Sequence, residues 1–194
     1  MLDLCKDVSG AVFGYTQSDE ISILCRVAGI DAREYFEGRV QKIVSVTASK
    51  ATLYFNRNFA KNIRTASGGT DPDLLDVYRS RLYGAEFDSR VMSIPEWDVY
   101  NYFVWRQIDA AANSLSMVCQ SVFPQSDLTG KGRSELMDML MSAGVNWNDI
   151  STSNKRGTCC YRKDTDGRSR WFLDDEMMIL TSDEGRDAYS GLLS

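Results

Sequence analysis

The chain has 194 residues, 43% of them hydrophobic, with a net charge of −5 and a sequence pI near 4.8. That is enough apolar material for a real core, in one domain or in one domain with an appended lobe, and the acidic balance argues against a chain coated in basic residues for nucleic acid. The absence of histidine removes Ser-His and Cys-His nucleophile pairs and the H-E-x-x-H zinc motif. Five cysteines without C-x-x-C spacing suggest neither a disulfide framework nor a structural zinc site, so reduced thiols are expected. No apolar run approaches the roughly 18 residues of a membrane span, and the first residues lack the order of a secretion signal, which implies a cytoplasmic location. Enzyme chemistry, if present, falls to carboxylates and cations. Hard oxygen ligands favour magnesium or manganese shared with phosphates, and this raises phosphoryl or nucleotidyl transfer in the ranking.

In chain order, "GAVFGYTQSDEISILC" (residues 10–25) predicts strand, short turn and strand, with Asp19 and Glu20 at the hairpin tip. Two readings stand: acids that keep a turn in water, or a metal site on a sheet edge. A helix is expected over residues 32–62, with Phe36, Val40, Ile43, Val44, Thr47, Ala51, Tyr54 and Phe55 on one apolar arc. Arg39, Lys42, Lys50, Arg57, Lys61 and Arg64 fall on the neighbouring arc, either a solvated flank or a row of phosphate contacts. Residues 31–64 hold seven basic residues against three acids. "TASGGTDPD" (65–73) reads as a loop, residues 73–83 as a short helix, and "EFDSRVMSI" (86–94) as a strand returning to the sheet.

Pro95 suits the opening turn of a second long helix, residues 96–123. Its expected apolar stripe is Trp97, Tyr100, Val104, Ile108, Ala111, Leu115, Val118 and Val122. Tyr102, Arg106, Asp109, Asn113, Ser116 and Gln120 line up opposite, and on sequence alone solvent exposure is the simplest account of them. Arg106 and Asp109 form an i,i+3 pair. A shorter helix follows at residues 133–143, then a strand entered through Lys155 and Arg156. There Gly157 would let backbone amides approach a phosphate closely. A hairpin turn is expected at Asp166-Gly167, and Ser182 is expected to cap a short terminal helix.

Five fragments occur together in order: "GAVFGYTQSDEISIL", "QKIVSVTASKAT", "EFDSRVMSIP", "WRQIDAAANS" and "GVNWND…KRGTC". Over about residues 8–162 they resemble the tRNA-histidine guanylyltransferase family, and within it the bacterial and phage branch of guanylyltransferase-like 3′–5′ polymerases. The resemblance implies an α+β fold. Its parts are a polymerase-palm-like (ferredoxin-like) antiparallel sheet with helices on one face and a C-terminal lobe of helices and a hairpin. An incomplete palm-like catalytic domain over residues 1–94 and a tRNA- and nucleotide-binding part over residues 95–194 would then form one compact unit.

The implied activity is magnesium-dependent addition of guanylate or templated nucleotides to the 5′ end of tRNA, with GTP and ATP as substrates and a homo-tetramer as the assembly. By the same resemblance Asp19 is the metal-binding and catalytic aspartate and Glu20 its catalytic neighbour. Ser18, Arg39, Lys42 and Arg90 fall to the nucleotide, and Asn113, Asn146, Lys155 and Arg156 to tRNA. Ala111 stands where eukaryotic members carry a histidine, which favours template-directed addition or repair. "MLDLCKDVSG" resembles the end of the helix that follows the family's first strand, so that strand and its aspartate are expected to be missing and the chain to be catalytically impaired. A non-catalytic RNA-binding remnant and another palm-type enzyme, such as a cyclic-nucleotide synthase, remain as alternatives.

Overall fold

In the computed structural model, residues 1–26, 35–66, 71–166 and 168–193 are described. They form two units, one of residues 1–12 and 24–93 and the other of residues 13–23 and 94–194. The acidic hairpin tip therefore groups with the C-terminal half of the chain.

The first unit is built on two helices, α1 (Leu2–Asp7) and α2 (Val40–Thr65). Asp7 accepts from Tyr54 at 2.8 Å and pairs with Lys50 at 2.9 Å, while Asp3 pairs with Arg57 at 3.2 Å and accepts from Asn58 at 3.0 Å. Two members of the basic arc on α2 are thus engaged by acids of α1. The predicted helix begins later than expected. Phe36, Glu37 and Gly38 stand at φ 52°, 57° and 70°, left-handed values that a right-handed helix cannot contain. Residues 32–34 lie outside the described residues. So does much of the expected loop, residues 67–70.

The predicted apolar arc of α2 is only partly correct. Ala51 is buried, but Val40 is 57% and Phe55 44% exposed, and the fully covered positions are Ala51, Asn56, Ala60 and Ile63. A third helix, α3 (Pro72–Ser80), opens with Pro72 behind an Asp71 side chain that accepts from the Asp73 amide. Residues 86–94 are not a sheet strand. The Asn56 amide brackets Ala85 through both its N–H and C=O, and the Phe87 amide donates to the Thr52 hydroxyl at 3.1 Å. Side chains of α2 thus hold this extended segment, which has no ladder among the described residues.

The second unit carries the sheet. Strands β1 (Ala11–Gln17), β2 (Glu20–Cys25), β3 (Thr158–Thr165) and β4 (Arg168–Asp174) run in the order β2-β1-β3-β4, and β1 and β4 both pair antiparallel with β3. The ends of β1 and β2 at Ala11, Val12, Leu24 and Cys25 group with the first unit. The C-terminal hairpin is therefore not separate from the acidic one but continues its sheet, with Tyr15 opposite Cys159 and Phe13 opposite Tyr161. Gly167, half of the expected turn pair, lies outside the described residues.

Helix α4 (Glu96–Val122) crosses the sheet face that bears Phe13 and Tyr15. The Phe13 and Phe103 rings meet edge to face at 4.8 Å. Its buried row is Val99, Phe103, Gln107, Ala110, Ser114, Leu115 and Cys119, which keeps only Leu115 of the predicted stripe; Ala111 and Val118 pack beside it, whereas Trp97 is 79% and Ile108 53% exposed. The rotation has a polar cause. Gln107 sits in the core because its amide donates to the Met178 carbonyl at 2.9 Å and accepts from the Leu180 amide at 2.8 Å.

After α5 (Gln125–Leu128), α6 (Arg133–Ser142) brings Leu140 against Leu115, Cys119 and Trp147. A short α7 (Thr152–Arg156) leads into β3, and α8 (Asp183–Leu193) starts as predicted, with the Ser182 hydroxyl accepting from the Gly185 amide at 3.1 Å. Tyr189 of α8 donates to the Asp174 carboxylate beside Cys159, and burial pushes the Cys159 thiol well above its ordinary value. Among the described residues no disulfide joins the five cysteines, and no helix is long and apolar enough to cross a membrane.

Candidate active site at the hairpin tip

The β1–β2 connection is two residues long, Ser18 and Asp19, with Ser18 at φ 53°. Positive φ is what the tight turns matching strand twist demand, and serine accepts it at modest cost. The Thr16 hydroxyl donates across the tip to the Glu20 carbonyl at 2.9 Å. The two acids at the end of this braced ribbon behave differently. Asp19 is exposed and has no hydrogen bond or ion pair among the described residues. The Glu20 carboxylate accepts from the Arg106 guanidinium of α4.

Arg106 is the centre of this wall. Its side chain is only 12% exposed, it pairs with Asp109 at 3.3 Å as well as with Glu20, and its guanidinium lies 4.6 Å from the Trp105 ring centroid. The Asn113 amide donates to the same Asp109 carboxylate at 3.3 Å, and one turn earlier the Ser22 and Tyr102 hydroxyls share a hydrogen bond of 2.9 Å. The predicted polar stripe of α4 therefore meets the hairpin through Tyr102 and Arg106, while Asn113, Ser116 and Gln120 stay exposed, as solvent exposure of the stripe implied. Between α4 and the hairpin lies a cleft of about 290 Å³, lined by Gln17, Ser18, Asp19, Glu20, Asp109, Asn113, Ser116, Met117 and Gln120.

Of the residues singled out from the sequence, Ser18, Asp19, Glu20 and Asn113 meet in this cleft. Asn146, Lys155 and Arg156 lie elsewhere in the same unit. Asn146 accepts from the Asn148 amide at 3.1 Å and donates to Asp149. Lys155 is 8% exposed, with its ammonium donating to the Asn148 carbonyl at 2.5 Å and lying over the Trp147 ring. Arg156 donates to the Met177 carbonyl at 3.4 Å, and its own carbonyl accepts from the Tyr15 phenol at 2.5 Å. Burial holds that phenol protonated far above its usual range.

Arg39, Lys42 and Arg90 belong to the other unit and are exposed. Arg39 pairs with Glu37, Arg90 with Asp88 at 3.4 Å, and the Lys42 ammonium stands 4.7 Å from the Phe36 ring centroid. Gly157 has a different task from the predicted one. At φ 83°, a Cβ there would stand 2.6 Å from the Thr16 carbonyl oxygen and 2.7 Å from the Tyr15 hydroxyl, so the glycine lets the entry of β3 pack on β1 and is buried away from any phosphate. Arg106 and Asp109 were legible as a helix pair, but their connection to Glu20 spans 86 residues and left no local signal.

Among the described residues no three or more acidic or cysteine side chains gather as a metal cage. The donor set instead fits a magnesium ion that keeps water and phosphate oxygens and takes one carboxylate from the protein, because Asp19 is the cleft acid left without a protein partner.

A sequence profile described as tRNAHis guanylyltransferase (Thg1) matches residues 1–95. A probable tRNA(His) guanylyltransferase of Dictyostelium discoideum is 25% identical over 182 residues, covering 84% of this chain and 61% of that protein. An uncharacterized protein of Acanthamoeba polyphaga mimivirus is 24% identical over 160 residues, covering 76% of this chain and 54% of that one. The chain thus spans about half to three fifths of the length of these curated relatives. Among solved structures, a bacterial tRNA(His) guanylyltransferase (Thg1)-like protein in complex with ATP is 35% identical, with a TM-score of 0.77 over 98% of this chain and 74% of that one. A GTP complex under the same description gives a TM-score of 0.69, again at 35% identity.

Proposed function

Because the chain belongs to the tRNA(His) guanylyltransferase (Thg1)-like family, we propose that it transfers a nucleotidyl group from a nucleoside triphosphate to the 5′ end of tRNA, growing the RNA in the 3′–5′ direction. The observation that carries this reading is the unpartnered Asp19 carboxylate at the tip of a braced hairpin, next to the Glu20–Arg106–Asp109–Asn113 wall. In the reaction a 5′-phosphate oxygen of the RNA bonds to the α-phosphorus of a triphosphate and pyrophosphate leaves, which activates the 5′ end. The 3′-hydroxyl of the incoming nucleotide then gives up its proton and bonds to the RNA's 5′-phosphorus, and the activating nucleoside monophosphate leaves. Asp19 would hold magnesium, which neutralises triphosphate charge and polarises the α-phosphorus when bound.

The protein's own side chains supply position. With Arg106 between them, Glu20 and Asp109 keep fixed geometry instead of repelling one another. The Ser22–Tyr102 bond ties β2 to α4, so the tip presents Asp19 without the slack of a free loop. Ser18, Arg39, Lys42 and Arg90 are assigned to the nucleotide, and the guanidinium forks of Arg39 and Arg90 suit phosphate oxygens. Asn113, Asn146 and Arg156 are assigned to tRNA. Lys155, assigned to tRNA from the sequence, is buried and holds the Asn148 carbonyl, so its part is to position its own segment.

The test is incubation of the protein with magnesium, α-labelled GTP or ATP, and tRNA lacking its first nucleotide. Label joined to the tRNA 5′ end with release of pyrophosphate is the expected outcome. Label appearing as a cyclic nucleotide without RNA would replace this reading with the cyclic-nucleotide synthase alternative. RNA binding without any transfer would reduce the protein to a binding module.

A further inference from the structure

Beyond the pairing with β1, the β3–β4 ribbon continues as a two-stranded hairpin with four cations, Arg162, Lys163, Arg168 and Arg170, in a chain of net charge −5. Register sorts them by face. Lys163 stands directly opposite Arg170 and Thr165 opposite Arg168, while Arg162 opposes Trp171 and Asp164 opposes Ser169. Because side chains alternate along a strand, Lys163, Arg168 and Arg170 share one face, and Arg162 and Asp164 share the other. At the foot of the cationic face the Tyr161 and Phe172 rings stack at 5.7 Å, and Phe172 is 38% exposed.

All three cations are exposed, and none forms an ion pair among the described residues. Like charges directly opposite across a ladder destabilise it, with Cβ atoms only about 5 Å apart. A fold that needed only solubility there would be better served by alternating signs. The arrangement makes chemical sense when an anion lies along it. Guanidinium groups take phosphate oxygens two at a time, and cations repeated at every second residue, about 7 Å apart along a strand, suit a polymer of phosphates better than one small anion.

We propose that the Lys163–Arg168–Arg170 face of the β3–β4 hairpin, with the Tyr161–Phe172 ring pair at its foot, is a docking surface for the phosphate backbone of RNA. The inference rests on the reading of RNA as substrate and adds a contact surface away from the acidic cleft residues. It holds the RNA and takes no part in the transfer.

The test is binding of fluorescently labelled tRNA across a series of NaCl concentrations, without nucleotide. Replacing Lys163, Arg168 and Arg170 together by Gln should lower the slope of log affinity against log salt by about 2–3, and weaken binding roughly 50- to 150-fold at about 0.15 M salt, as expected when three phosphate contacts are lost. A charge-matched control, Arg79, Arg81 and Arg186 to Gln, should change affinity less than about threefold. The melting temperature of the hairpin variant should stay level or rise, since repulsion is relieved.

Equal losses in both triple variants, unchanged binding in the hairpin variant, or a lowered melting temperature would overturn the proposal. So would stronger hairpin-dependent binding to phosphatidylserine–phosphatidylcholine vesicles than to tRNA. Transfer activity is scored separately. A protein that needs this face for tRNA but transfers nothing keeps the docking surface and loses the proposed reaction, and the opposite pattern does the reverse.

Discussion

Replacing Arg106 by Met keeps most of the covered stem and removes only the charge and its forks. Three contacts disappear: the pairs with Glu20 and with Asp109, and the guanidinium over Trp105. Arg106 is 12% exposed, but Glu20 is 60% and Asp109 41% exposed, so water screens each pair and each is worth about 0.2–1 kcal/mol. The ring contact adds about 0.5–1 kcal/mol. The expected destabilisation is therefore about 1–3 kcal/mol by urea unfolding. A double-mutant cycle with Glu20→Gln should return a coupling of about 0.5–1 kcal/mol that shrinks in 1 M NaCl. A coupling near zero at low salt, or one insensitive to salt, would refute the assignment of Arg106 as the post that fixes the hairpin tip.

Gly157→Ala should cost more than about 3 kcal/mol in urea unfolding, because a left-handed backbone penalty of about 1–2 kcal/mol adds to contacts at 2.6 and 2.7 Å with Thr16 and Tyr15. An unchanged midpoint would show that β3 enters the sheet differently. Gln107→Leu leaves the Met178 carbonyl and the Leu180 amide without their partner and should cost about 2–4 kcal/mol, measured the same way, whereas a neutral result would deny that Gln107 sets the rotation of α4. Asp7 has its carboxyl held below the ordinary value by hydrogen bonds from Lys50 and Tyr54. Its contribution is therefore present above the unfolded value of about 3.9 and is lost as pH falls through the lower folded value. Acid titration of stability should accordingly be shallower below about pH 4 in Asp7→Asn than in the parent, and parallel curves would remove Asp7 from the account.

Local chemistry made the hairpin and the ends of α4 readable. Aromatic and β-branched runs around Gln17-Ser18-Asp19 specify strand, turn, strand, and Pro95 marks where α4 opens. The face of α4 was not readable by apolar periodicity, because "WDVYNYFVWRQ" is apolar on several sides and a glutamine held by two backbone groups outranks Ile108 for the core. Residues 86–94 alternate like a strand, yet α2 side chains occupy the amides that open the segment. Asp19 and Glu20 were visible as a pair, but the division of labour between them depends on Arg106, a contact that only the folded chain creates. The pairing that sets cations opposite one another on β3 and β4 likewise depends on register, which residue spacing alone does not supply.

The most direct measurement of the central claim is single-turnover transfer of labelled GTP to a 5′-truncated tRNA by the parent protein and by Asp19→Asn, with tRNA affinity measured on the same preparations. Asn keeps the size of the side chain and removes the charge that would hold magnesium. The account predicts transfer by the parent, a loss of at least about a hundredfold in the variant, equivalent to about 2.7 kcal/mol of transition-state stabilisation, and tRNA affinity within about twofold. Equal transfer by both proteins would contradict it, because the one unpartnered carboxylate of the cleft would then have no part in the reaction.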